Sequence, residues 1–453
     1  MAKRESILSR LDKFFWFFLF INPFLDILNG VYINIVSGVG MLDVEQNATL
    51  GVTPSLVVRM LVLLVFAGYL LLARERLAIG TALLIGVSWA FSLVSEYLGR
   101  GGVALFTDMQ YIARFGYNIL LVFVLLRLFA ARWDGDKDAL IKNLDKLVAY
   151  TLIVMAGSIL LSSLFQIGWN TYADRLGYRG SRGFFYAGND ITAILALLLP
   201  LNLAYVMREL RQRKGLRALL LAVPAALASN AMLVIGSKTA FIAVAVTFFA
   251  LFAASLVPGF KSRDFTSLRG VSLAFLGALL VFLIMNLFSS FEFLRSVIDS
   301  FRAPGEIAAA EGLDAALGSG RQTKLREHWA AFKDAGVFAW LFGLGRGSFP
   351  IILEMDVFEV LFYYGVAGLF TMLWLYAVLG FQFVRRVIRR IDTTGCALIL
   401  SLALCTGYLV VAGHILFSVT SGFYYVFSIV YSRVSLADTP ADLPLMRGVR
   451  QRN

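Results

Sequence analysis

The chain has 453 residues and is poor in charge, in cysteine and in histidine. Only 15% of it is Asp, Glu, Lys or Arg, while 59% is hydrophobic. Ordinary globular domains carry about 25% charged residues, so with a mean hydropathy of +0.78 a soluble globule is excluded and a polytopic membrane protein is implied. The two cysteines, Cys396 and Cys405, fall in one apolar run. That excludes a disulfide framework and leaves packing thiols. The two histidines, His328 and His414, are distant from each other, and with two cysteines inside an apolar run they make no zinc site. No nucleic-acid-binding motif accompanies the net charge of +12, so the basic residues are read as topology signals and anionic-lipid contacts. Neither an internal repeat nor the paired interrupted spans of an inverted-repeat transporter is visible.

What is present is a series of apolar runs, each near the 20 residues or so that a hydrocarbon core of about 30 Å requires. Twelve spans are expected, near 14–36, 55–73, 77–95, 110–129, 147–167, 187–207, 218–236, 239–257, 270–288, 355–380, 395–413 and 415–433. The first is too long for a signal h-region and no small-residue cleavage site follows it, so it is expected to be a retained helix. Placing both termini in the cytoplasm puts the larger share of the 41 Lys and Arg residues on that side. The short turns "RELRQRKGLR" and "RRVIRR" weigh most. The fold class is therefore all-α, a single integral membrane domain over 1–453. Asp26, inside the first span, is read as structural, ordering a Pro-kinked helix.

Two outer segments resist the positive-inside pattern. "RLGYRGSRGF" at 175–184 gathers three arginines. Together with Lys238 in the tight "GSKT" turn, they point to a bound anion, because a guanidinium fork grips phosphate oxygens in pairs. The long outer loop 289–354 has helical apolar spacing at Leu325, Trp329 and Phe332, with Ser319 or Gly320 placed to start a helix and Gly336 to end it. One or two amphipathic helices are expected there, lying on the outer surface, with His328 on the exposed side.

Two of these segments resemble the O-antigen ligase and polymerase group of bacterial envelope enzymes. "RGSRGFFYAGNDITAILALLLP" is similar to that group's outer loop of Arg, Gly, aromatic and Asn leading into a span. "SGRQTKLREHWAAFKDAGVFAWLFGLGRGSF" is similar to its Gly-Arg, Trp and Gly-x-Gly segment. "GSKTAFIAV" resembles its inter-span cationic turn, and the matching pieces cover roughly 175–250 and 315–370. The resemblance implies a C-type glycosyltransferase of the bacterial cytoplasmic membrane. Such an enzyme moves an undecaprenyl-diphosphate-linked glycan to an acceptor hydroxyl on the outer face, without metal or cofactor, among membrane lipids and the proteins of a polysaccharide assembly pathway. It further implies that Arg179 or Arg182, Arg321 and Lys238 bind the diphosphate. Where the group carries His-Asn ahead of a Gly-x-x-Gly segment, this chain departs. Eleven residues before Gly365 of "GVAG" stands Glu354, in "LEMDVFE".

The expected chemistry follows from the leaving group. Charge grows on the diphosphate as the anomeric bond breaks, and fixed cations beside it lower the barrier, by roughly 3 kcal/mol for one well-placed donor. The acceptor hydroxyl needs a base. Glu354 is the first candidate and Asp356 the second, with Glu359 in the same cluster. A carboxylate partly desolvated at this position would have a raised pKa and be the better base. Polymerase, extending lipid-linked repeat units, is preferred over ligase, with a transporter or lipid flippase as the reading from another class.

Overall fold

The computed structural model describes residues 2–35, 53–133, 136–171, 180–289, 291–312, 321–349, 352–389, 392–411 and 413–439. Among these, eleven helices are long and apolar enough to cross a membrane. In the first half they are α1 (Ala2–Ile35), α2 (Pro54–Ala73), α3 (Arg76–Arg100), α4 (Leu105–Trp133), α5 (Lys137–Leu164), α6 (Gly188–Arg211) and α7 (Gly215–Ile235). Then come α8 (Lys238–Ser262), α9 (Thr266–Phe288), α13 (Asp356–Arg389) and α14 (Thr393–Val411). Among the described residues, the long loop between α9 and α13 carries three further helices, α10 (Glu292–Glu311), α11 (Arg321–Lys333) and α12 (Gly336–Phe342), then a 3-10 turn at Arg346–Ser348. The chain is all-α but for a two-stranded antiparallel ribbon, β1 (Trp169–Asn170) with β2 (Ser181–Gly183), that ties the arginine loop to the end of α5.

The twelfth expected span is α15 (Ser421–Leu436), and it is only 16 residues long, about 24 Å. Residues from Ile415 onward were expected to be helical, but 413–420 form a turn instead. Its amides are spoken for: Ile415 and Leu416 N–H donate to the Asp356 carboxylate at 2.6 and 3.0 Å. Helix α15 is buried on nearly every side, so it completes the core and does not face lipid. Helix α6 is the centre of the bundle, with 94% of its apolar window buried, whereas α2, α3 and α9 leave most of theirs outward. An all-round apolar helix such as α6 belongs inside for that reason.

The helices alternate in direction, so the loops sort to two ends. One end gathers the paired charges of the short basic turns. Arg127 meets Glu75 at 2.7 Å, Arg208 pairs with Asp145, and Arg211 meets Asp392 at 3.4 Å. The other end gathers the described parts of the loops expected to face outward. Asn29 near the end of α1 accepts from Thr53, the N-cap of α2, at 2.7 Å. Arg182 in β2 donates to Asn34, and Asp108 of α4 holds the N–H groups of Arg346 and Gly347.

Helix α13 is broken at Gly365, whose φ of 68° and ψ of −170° suit glycine alone. The strand-like segment 343–345 crosses there. Leu344 and Gly345 N–H donate to the carbonyls of Phe362 and Tyr363 at 2.8 and 3.0 Å. A Cβ on Gly343 would fall 2.2 Å from Tyr363 backbone atoms, and one on Gly365 2.4 Å from those of Leu341. The Gly-x-Gly and Gly-x-x-Gly spacings seen in the sequence are thus the two halves of one backbone crossing.

In the outer loop, His328 is buried at 3% exposure, not exposed as expected. Its ring stacks on Phe349 with centroids 4.1 Å apart and planes 9° apart. The reason is helical phase: 325, 328 and 332 share one face, and that face docks on α13 through Phe362. The helix ends at Lys333, and Gly336 opens α12 at a positive φ of 83°, so it separates two helices. The proposed caps Ser319 and Gly320 lie outside the described residues.

Candidate active site

A cavity of about 170 Å³ opens among the ends of α1, α2, α4 and α6 and the 413–420 turn. Its charged walls are Asp26, Arg59, Arg114, Asp190 and His414, and its aromatic walls include Tyr111, Tyr186 and Phe417. Asp26 is held in place by a buried ion pair with Arg59, which also donates to Asn22 at 3.2 Å and Thr420 at 3.2 Å. Burying a charge pair is costly unless every lone pair and proton is used, and this network uses most of them. Asp190 receives the Ser421 and Ser418 hydroxyls at 2.9 and 3.3 Å. Arg114, half-buried, makes no hydrogen bond or ion pair among the described residues, so its five donors face the cavity unspent.

His414 lines this cavity beside a buried carboxylate. Its Nδ1 lies 3.7 Å from Glu359 Oε2, and Glu359 is fully buried. The other Glu359 oxygen accepts the Glu354 N–H at 2.8 Å. Asp356, one turn earlier on α13 and also fully buried, clamps the backbone just after His414. At 3.7 Å no hydrogen bond joins His414 to Glu359, and Glu359 Oε2 has no hydrogen-bond partner among the described residues; the His414 imidazole lines the cavity as a group able to accept a proton. Ligand atoms of Asp356, Glu359 and His414 lie within 4.8 Å of one another, so they are also the described residues with the spacing to hold a cation.

A family model described as "O-antigen ligase like membrane protein" matches residues 9–297 and 307–438. The chain belongs to that family. Comparison with curated proteins and with solved structures gives no match.

The O-antigen ligase-like chain distributes its sequence-derived candidates around the cavity unevenly. Arg179 lies outside the described residues. Arg182 is buried and donates to Asn34 at 3.0 Å; burial pulls its pKa below the ordinary arginine value. Lys238 is the first residue of α8, after the Ser237 cap whose hydroxyl lies 3.4 Å from Thr192, two residues along α6 from Asp190. Arg321, on α11, meets Glu354 at 2.6 Å, and Lys324 stands 3.8 Å from the same carboxylate. None of Arg182, Lys238 and Arg321 lines the cavity itself; they ring it at the same end.

The raised pKa expected of a partly desolvated carboxylate fails at Glu354. Burial pushes its carboxyl up, but Arg321, Lys324 and His414, with the hydrogen bond from Arg321, outweigh that and hold it below the ordinary range. Its backbone is in the left-handed region at φ 61°, a conformation of about 1–3 kcal/mol for a non-glycine residue that its partners sustain.

His414, Arg114 and Asp190 escaped sequence reasoning. His414 was set aside for lying between the last two spans and away from the family's motif. The available signal was its polar surroundings, "GHILFSVTSG", in an otherwise apolar C-terminal region. One metal-type spacing was also passed over: Asp134, Asp136 and Asp138 alternate in "DGDKD". Of these, Asp136 and Asp138 are at the start of α5, at the opposite end of the bundle, where Asp136 caps the helix through Ala139 N–H at 3.1 Å.

Proposed function

We infer that this family member is a membrane glycosyltransferase that extends a cell-surface polysaccharide from undecaprenyl-diphosphate-linked repeat units, on the outer face of the cytoplasmic membrane, with both termini inside. The observation that carries the reading is His414, with the Glu359 carboxylate 3.7 Å away, lining a cavity walled by two arginines and aromatic rings. His414 takes the proton from the acceptor hydroxyl, whose oxygen attacks the anomeric carbon. The bond from that carbon to the diphosphate oxygen breaks, and the departing charge meets Arg114 and Arg59, with Arg182, Lys238 and Arg321 guiding the lipid phosphate inward. Glu359 sets a carboxylate beside the imidazole, and Asp356 holds its turn. Glu354, the first carboxylate candidate from the sequence, is a weaker proton acceptor once its partners depress its pKa. It therefore serves as the latch for α11. Aromatic walls suit sugar faces, and Asp190 offers a carboxylate to vicinal hydroxyls.

The deciding assay is purified protein with synthetic lipid-linked repeat units. A ladder of lengthening products supports polymerase. A single transfer to an acceptor without diphosphate supports ligase, the reading that the family's description favours. No covalent product in either assay overturns transferase in favour of transport. Transfer that survives EDTA supports the metal-free mechanism, and its loss would move Asp356, Glu359 and His414 to a cation-binding role.

Further outcomes are expected. With Cys396 and Cys405 replaced by Ser, Ala309→Cys reacts with impermeant maleimide on intact cells and Lys214→Cys reacts only after lysis; the reverse pattern overturns the outward site. Arg321→Ala lowers transfer by at least tenfold, the order of one lost oxyanion-type donor or less. Arg182→Lys, which keeps charge but loses the fork, falls below the exposed control Lys333→Ala. Normal activity in both arginine variants would place the phosphate grip on Arg59 and Arg114 alone. Because the Glu354 carboxyl is depressed, the Arg321 latch contributes stability above the ordinary carboxylate range and loses it as pH falls through the depressed value.

A further inference from the structure

The short helix α12 does not sit at the level of the loops it connects. Its last residue, Phe342, stacks on Phe91 of α3 with ring centroids 4.7 Å apart and planes 21° apart. Phe91 is nine residues before the end of α3 at Arg100, about 13 Å along the helix axis. Helix α13 gives the same depth independently. Leu341 abuts Gly365 and Gly343 abuts Tyr363, which lie nine and seven residues inside α13, about 13 and 10 Å from its start at Asp356. The chain then climbs back: Gly345 packs on Glu96, and the Gly347 carbonyl accepts from Arg100 at the end of α3. Half of a hydrocarbon core is about 15 Å, so the bottom of this excursion reaches well into one leaflet.

We propose that Gly336–Ser348 is a re-entrant membrane segment, with α12 descending into the outer leaflet and 343–347 returning, and with lipid acyl chains covering its free face. The segment "GVFAWLF" carries no charge. Val337 is 78% exposed and Leu341 45%, on a face continuous with Val87, Val94 and Leu98 of α3, a helix already turned to lipid. Re-entrant backbone is tolerated at depth only where protein satisfies its polar groups. That condition is met where Leu344 and Gly345 donate to the open carbonyls of the broken α13. Above it, Trp329 and Trp340 meet edge-on at 5.9 Å, and Trp340 Nε1 donates to the Lys333 carbonyl at 3.4 Å, an interfacial pairing of indoles beside a cation. The excursion also anchors α11, and with it Arg321, at the level where a lipid diphosphate stands.

The inference does not depend on the transferase reading, and its test needs no activity. In the chain with Cys396 and Cys405 replaced by Ser, Val337→Cys, Leu341→Cys and the exposed Glu327→Cys each receive an environment-sensitive fluorophore. The full-length protein is reconstituted in phosphatidylethanolamine–phosphatidylglycerol vesicles. The expected result is blue-shifted emission at 337 and 341, quenched by doxyl groups on the acyl chains, with 341 preferring the deeper label. Position 327 is quenched by aqueous iodide. Iodide quenching at 337 and 341 overturns the proposal. So does insensitivity to both quenchers, which would mean that another segment or a second copy of the chain covers the face. A size-exclusion profile matching the unlabelled protein secures folding, and two positions guard against a local effect of either substitution.

Discussion

Transfer by the His414→Gln protein is expected to run about 100- to 10,000-fold slower than by the unaltered chain, the range of a lost general base. Glutamine keeps a polar side chain of similar reach but cannot accept the proton. His414 is half-buried and its side chain makes no hydrogen bond among the described residues, with Glu359 3.7 Å away, so the fold should hold. The control is donor binding, read by photocrosslinking to a lipid-linked unit, which stays near normal. Glu359→Gln, which removes the neighbouring charge and keeps the imidazole, loses less. The same series includes Glu354→Gln, Asp356→Asn and His414→Ala. If Glu354→Gln alone is inactive while His414→Gln transfers normally, the base is the carboxylate that the sequence spacing favours, and Glu359 merely satisfies the Glu354 amide.

Gly365→Ala is expected to remove the folded protein almost entirely, although it adds one methyl group. The alanine would occupy a φ/ψ region open essentially to glycine, at about 1–3 kcal/mol, and its Cβ would lie 2.4 Å from Leu341 backbone atoms. Backbone cannot swing aside as a side chain can, so the crossing of 343–345 over α13 must open. The two hydrogen bonds to Phe362 and Tyr363 go with it, leaving carbonyls bare at membrane depth. Gly343→Ala should behave alike, since it is the opposite half of the crossing. Gly380→Ala is the contrast: it lies in the regular part of α13 with nothing within 4 Å of a new Cβ, and alanine favours helix by about 1 kcal/mol. Fluorescence-detected size exclusion after a heat step separates the cases. A monodisperse, heat-stable Gly365→Ala protein would mean that the break in α13 is not fixed by the crossing.

Much of the architecture was legible because hydropathy is a local property. Pro54–Ala73, Gly215–Ile235 and Thr266–Phe288 fall within a few residues of the expected spans, since about 20 apolar residues have few alternatives to a spanning helix. The basic turns were legible for the same reason: Arg208, Arg211 and their neighbours lie in one short loop of sequence, and the side that loop faces is the positive-inside expectation. The amphipathic phase of α11 could be read from Leu325 and Phe332, and applying it one residue type further would have buried His328 as well. The glycines of "GLGRG" and "GVAG" were visible as a pattern, but not as a pattern that meets itself.

Contacts between distant segments were decided by the tertiary structure. His414 meets Glu359 across 55 residues of sequence, and Arg59 meets Asp26 across two helices. Whether such pairs form depends on which helix faces turn toward one another, and periodicity gives a face without naming its neighbour. The last helix was misjudged by the same limit. Residues 413–420 are apolar enough to be helical, yet Asp356 takes the Ile415 and Leu416 amides, and Ser418 and Ser421 turn their hydroxyls to Asp190. The amino-acid sequence by itself determined an all-α membrane bundle, because burial of apolar runs is settled locally. The catalytic-type cavity, the broken α13 and the depth of α12 were decided only by packing, because each is a hydrogen bond or a contact that two remote segments must supply together.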